Sequence, residues 1–134
     1  MSAPLTREYT EVVPALTILA SDTYTIAEAP FDGELTAASY IPDSNITGAD
    51  SPASRTYTIV NKGADGNGTT VMATLAMTLG VNATDFNESD MTLSAVEGAV
   101  EFVEGDIIAF ASTAVGGTGL VDPGGTVKIT LSRA

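Results

Sequence analysis

The pattern of this sequence predicts an all-β chain, a β-sandwich or jelly roll of roughly eight to nine antiparallel strands. Three observations predict it. Thr, Val and Ile are abundant, and their branched side chains fit a pleated, half-buried surface better than a helix. Short alternating apolar segments recur, separated by clusters of Gly, Asn, Asp and Pro. No segment sustains a helical period between helix caps.

The first apolar strand is expected from Val12 to Leu19. The mixed polar run before it, with Pro4, reads as an N-terminal arm over residues 1–10, leaving 11–134 as a single β-sandwich domain. If such an arm docks on a neighbouring subunit, Leu5, Arg7 and Tyr9 are the candidate contact residues. Brief alternation then places Tyr24/Ile26, Leu35/Ala37 and Tyr57/Ile59 on inward faces, followed by Val71–Leu79 and by Met91/Leu93 and Val100/Phe102. The segment Ile107-Ile108-Ala109-Phe110-Ala111 is apolar on both faces, as a central strand would be. In Thr126–Ser132 the side chains of Val127, Ile129 and Leu131 share one face, and Thr, Lys and Ser the other. Turns are expected at Asp32-Gly33, Pro42–Asn45, Lys62–Gly68, Glu104–Asp106 and Asp122–Gly125. Asp85–Asp90 reads as an acidic loop.

Charge excludes several partners. Five Lys+Arg against 17 Asp+Glu give a net charge of −12. Arg7, Arg55, Lys62, Lys128 and Arg133 are scattered, so no basic patch offers itself to phosphates, and an anionic membrane surface is disfavoured alike. The uncharged stretches Gly66–Thr84 and Ile107–Val121 are too broken by polar residues and Gly to read as membrane spans. The first residues lack the basic start and apolar run of a secretion signal, which predicts an intracellularly made soluble product.

Chemistry is sparse. The chain has no His and no Cys, which removes Ser-His-Asp triads, Cys-His nucleophiles, histidine-held metals and disulfides. Glu97, Glu101, Glu104 and Asp106 read as a solvated strand face and turn rather than as a glycosidase pair. Asp65-Gly66-Asn67-Gly68 opens like a calcium loop, but its twelfth position would be Ala76, so a hairpin turn explains it. Asp85, Glu88 and Asp90 read as acidic loop residues before they read as a surface Ca²⁺ site. The Asn-x-Ser/Thr triplets at Asn45, Asn67, Asn82 and Asn87 are expected by chance in a chain this rich in Thr and Asn. Gly116–Gly119 lacks the lysine of a phosphate loop and reads as a plain loop. No catalytic, cofactor-binding or metal-ligating residue is expected, and the chain is not expected to be an enzyme.

Three stretches carry a resemblance. They are Ala29-Pro30-Phe31-Asp32-Gly33-Glu34-Leu35-Thr36, Val103-Glu104-Gly105-Asp106-Ile107-Ile108, and Gly119–Val127 with the C-terminal strand after it. In this order the chain resembles the decoration (cement) proteins of tailed-phage heads. The resemblance implies a virion protein, made in the host cytoplasm, that binds the major capsid protein on the outside of an assembled icosahedral shell and stabilises it. It also implies a homo-oligomer, most often a trimer. The alternative is a carbohydrate- or receptor-binding β-sandwich module of a phage fibre or adhesin. The chain has no Trp for sugar stacking, and Tyr9, Tyr24, Tyr40 and Tyr57 are its candidates.

Overall fold

The structure, a computed structural model, describes residues 5–47, 54–78, 81–115 and 120–134. Among the described residues, seven long strands carry the fold: β1 (Thr6–Val13), β2 (Asp22–Glu28), β3 (Gly33–Pro42), β5 (Ser54–Asn61), β6 (Thr70–Met77), β11 (Ile107–Val115) and β12 (Gly125–Arg133). Five two-residue strands supplement them: β4 (Ile46–Thr47), β7 (Asn82–Ala83), β8 (Ser89–Asp90), β9 (Thr92–Leu93) and β10 (Glu101–Phe102). Every pairing among the described residues is antiparallel.

Two sheets face each other in a sandwich-like, all-β arrangement. One runs β1-β12-β3-β10 with β8 also on β3; the other runs β2-β11-β5-β6-β9. The small β4–β7 pair forms a separate two-stranded sheet, and its Ile46 and Ala83 join the same hydrophobic core. The first sheet sends Leu35, Ala38, Tyr40, Val127, Ile129 and Leu131 into the interface, and the second sends Tyr57, Ile59, Met77, Ile108 and Phe110. An aromatic trio links the sheets. Tyr40 lies 4.6 Å from Tyr57 and 5.6 Å from Phe110, ring centre to ring centre, and Tyr57 and Phe110 are 5.7 Å apart. Such pairs add to the burial of the rings themselves.

The alternation of Thr126–Ser132 holds, with Val127, Ile129 and Leu131 all sealed from solvent. Ile107–Ala111 lies within β11, which is flanked on both sides by β2 and β5. Elsewhere the alternation is interrupted. Thr36 is an extra residue in β3, because Ala37 pairs with Thr130 but Leu35 with Leu131. The bulge resets the phase, so Ala38 and not Ala37 joins Leu35 inside. Similar shifts make Ile26 the extra residue in β2 and Met72 the extra residue in β6. Each bulge lets two consecutive residues, Ile26-Ala27 and Met72-Ala73, be buried together.

The strand expected from Val12 to Leu19 is displaced. β1 occupies Thr6–Val13 and stops at Pro14, which has no N–H for a ladder. Beyond it, 14–21 is irregular, with a lone Leu16–Asp122 bridge, and Ile18 and Leu19 are exposed. Of the arm expected over residues 1–10, Thr6–Thr10 pair with β12, Leu5 accepts a bond from Arg133 N, and residues 1–4 lie outside the described residues. Val71–Leu79 is represented by β6, while Leu79 and the loop Gly116–Gly119 also lie outside them.

Candidate functional site

The densest polar chemistry is inside the sandwich. Arg55, Tyr57 and Ile59 follow one another on the inward face of β5, and Arg55 is 0% exposed. A guanidinium has five N–H donors, and burial is tolerable only if they are used. Here Nε donates to Leu120 O (2.8 Å), Nη1 to Ala20 O (2.9 Å) and Ser112 Oγ (3.0 Å), and Nη2 to Thr17 O (3.0 Å) and Ile18 O (3.5 Å). Arg55 therefore replaces the missing ladder of the 14–21 segment, gathering its carbonyls onto one side chain.

The network continues to a carboxylate. Ser112 Oγ donates to Asp122 Oδ2 (2.7 Å), and Asp122 Oδ1 accepts from Tyr40 Oη (2.7 Å) and Gly124 N (2.9 Å). Positive Arg55 and negative Asp122 are thus joined through a hydroxyl, with Ser112 and Asp122 both sealed from solvent. The cluster ties β3, β5 and β11 to the segments before β2 and β12. Ser112 has its donor and acceptor both filled internally, so this constellation stitches the fold.

Burial here has a pH consequence. The hydroxyls of Tyr40 and Tyr57 are pushed far above the usual 10.0, by burial first and then by Asp122 beside them. A raised folded-state value means that stability is complete below about pH 10 and falls as pH climbs beyond it, because the unfolded chain releases these protons first. In an alkaline titration the phenolate absorbance of Tyr40 and Tyr57 should appear together with loss of tertiary circular dichroism. Ionisation of all four tyrosines with the fold intact would contradict this.

Most other acidic residues singled out from sequence are turn and surface groups. Glu97, Glu101 and Glu104 are exposed. Asp106 differs: it is buried, and its Oδ2 accepts from Asn61 Nδ2 and Val103 N (both 3.0 Å), which fixes the turn into β11. Glu88 Oε1 accepts from Ser39 Oγ (2.7 Å), and Lys128 Nζ stands 3.8 Å from it and 3.7 Å from Glu8. Asp65 Oδ1 accepts from Asn67 N in the Lys62–Gly68 turn, and that bond holds its carboxyl below the usual range. Among the described residues no three of these groups converge on a metal-sized site.

The surface offers grooves and an edge. A groove of about 560 Å³ between the β3–β10 pair and the C-terminus is lined by Asp32, Glu34, Glu101, Phe102, Asp106 and Arg133. Glu34 and Glu101 sit directly opposite each other there, an unfavourable like-charge pair. A more apolar groove of about 390 Å³ lies between β6 and the residues after β9, with Val71, Leu93 and Val96 on its walls. Val12 (76% exposed), Leu19 (61%) and Val121 are large aliphatics facing solvent.

Of the three contact residues proposed from sequence, all stand at or beside β1, the edge strand. Leu5 and Arg7 are exposed, whereas Tyr9 is half-buried and packs against the core. Tyr40 and Tyr57 are enclosed, so neither can serve as a sugar-stacking platform. No family model matches the chain, and no curated protein or solved structure matches it.

Proposed function

We propose that the chain is a structural protein that binds the outside of an assembled icosahedral shell, through the major shell protein, and stabilises it. One observation carries this reading: the strongest polar cluster is spent on internal bonding, while among the described residues each sheet ends in a strand with one unpaired side, β1 in one and β2 in the other. Open strand edges are suited to contact with another protein. The charge supports the same reading. Arg55 is buried and Lys128 is shared between two glutamates, so Arg7, Lys62 and Arg133 alone oppose the acidic exterior. Such a surface keeps the free protein soluble and turns it away from polyanions. The strand-entry stretches at Ala29–Thr36 and Val103–Ile108 supply the link to capsid decoration proteins.

Purified chain should co-sediment saturably with shells assembled without it and raise their melting temperature, as any ligand of the assembled state does. Absence from the pellet at every ratio, with shell stability unchanged, would overturn the proposal.

A further inference from the structure

We infer that β1 is a self-pairing edge: two copies of this chain join antiparallel through Thr6–Val13, about a two-fold axis passing between the two Tyr9 residues. The inference stands on β1 alone and does not depend on the shell reading.

The open hydrogen-bonding groups come first. β1 ends its sheet, pairing with β12 and with no other strand among the described residues. Arg133 N donates to Leu5 O, and the register sets Thr6 opposite Ser132. The odd-numbered residues therefore exchange bonds with β12, and the N–H and C=O groups of Thr6, Glu8, Thr10 and Val12 face the free edge. An eight-residue edge without a bulge or a proline in it is a template for another strand.

Charge then selects the occupant and its register. Centred on Tyr9, the pairing sets Arg7 opposite Glu11 of the second copy, and by symmetry Glu11 opposite its Arg7. The open groups meet as hydrogen-bonded pairs, Thr6 with Val12 and Glu8 with Thr10, giving about eight intermolecular bonds. Arg7, Tyr9 and Glu11 fall at the non-hydrogen-bonded positions, where cross-strand side chains approach most closely. Shifting the axis to Arg7, Glu8 or Glu11 sets a charge against itself. An axis at Thr10 sets Arg7 against Val13 and Glu8 against Val12. Of these registers only the one centred on Tyr9 sets Arg7 against a carboxylate, and it leaves Glu8 facing a neutral Thr10. It also covers Val12, the most exposed large aliphatic among the described residues, with Thr6 of the second copy.

The test is the mass of the full chain in solution by sedimentation, with far-ultraviolet circular dichroism checking that each variant is folded. The expected wild-type mass is about 27 kDa, twice the 13.6 kDa chain. Arg7→Glu and Glu11→Arg should each weaken the dimer by about tenfold or more, since each creates two like-charge pairs. The double exchange R7E/E11R should restore it, which a merely solubilising role for these charges would not do. Thr10→Pro removes an N–H from the open edge, leaves the β12 bonds in place and should also give monomers. A monomeric wild type would overturn the inference, as would a dimer or trimer whose mass R7E leaves unchanged. So would a monomer whose R7E variant loses co-sedimentation with shells, which would assign the edge to a shell subunit instead.

Discussion

Replacing Arg55 with methionine is expected to destabilise the fold by about 3–5 kcal/mol, the usual consequence of removing one partner from a buried charged network. Methionine approximates the volume of the aliphatic stem but supplies none of the five donors. Asp122 then stays buried with its positive counterpart gone, and the carbonyls of Thr17, Ile18, Ala20 and Leu120 lose the group that gathers them. Domains of this size are stable by only about 5–15 kcal/mol, so the variant should unfold at a far lower urea midpoint. It should also open locally: amide exchange and proteolysis between Pro14 and Ser21 should accelerate more than global unfolding accounts for. Combining Arg55→Met with Asp122→Asn should cost clearly less than the sum of the single losses, because the groups share one network. A urea midpoint within error of wild type would remove Arg55 from its role.

The second large effect is expected at Gly124. Its φ is +78°, and a Cβ there would meet Ala15 N at 2.8 Å and Pro14 C and Val13 O at 3.0 Å. Gly124→Ala thus combines left-handed backbone strain of about 1–2 kcal/mol with backbone crowding worth about 1–3 kcal/mol more. A total near 3 kcal/mol is expected in urea unfolding. Gly66 is the control: its φ is +81°, but nothing lies within 4 Å of the added carbon. Gly66→Ala should show the strain alone, about 1 kcal/mol. Equal losses at the two positions would mean that the turn before β12 is not packed against the Val13–Ala15 chain.

These two sites also show what the sequence could reveal. The sandwich was legible because Val127/Ile129/Leu131 repeat the simple period of a one-sided strand and Ile107–Ala111 is apolar on both faces, as a central strand is. The bulges were not legible. Thr36 and Met72 are ordinary strand residues, and nothing in their identity announces an inserted position. Arg55 was legible in principle: it stands in phase with Tyr57 and Ile59, as Ser112 does with Ile108 and Phe110. Its positive charge argued for the surface, and charge is normally the better guide. Its acceptors are carbonyls of Thr17, Ile18, Ala20 and Leu120, whose convergence is a property of the folded backbone. The edge position of β1 likewise depends on which strand β12 pairs with, which the local pattern does not encode. Asp106 read as a solvated turn acid because its partner Asn61 is remote in sequence.

The contact between Leu5 and Arg133 has a mechanical consequence. The two ends of the described chain meet at one corner, in neighbouring antiparallel strands. A tether pulling them apart would load the β1–β12 rungs singly, beginning with the one between Leu5 and Arg133, as a zipper opens from its slider.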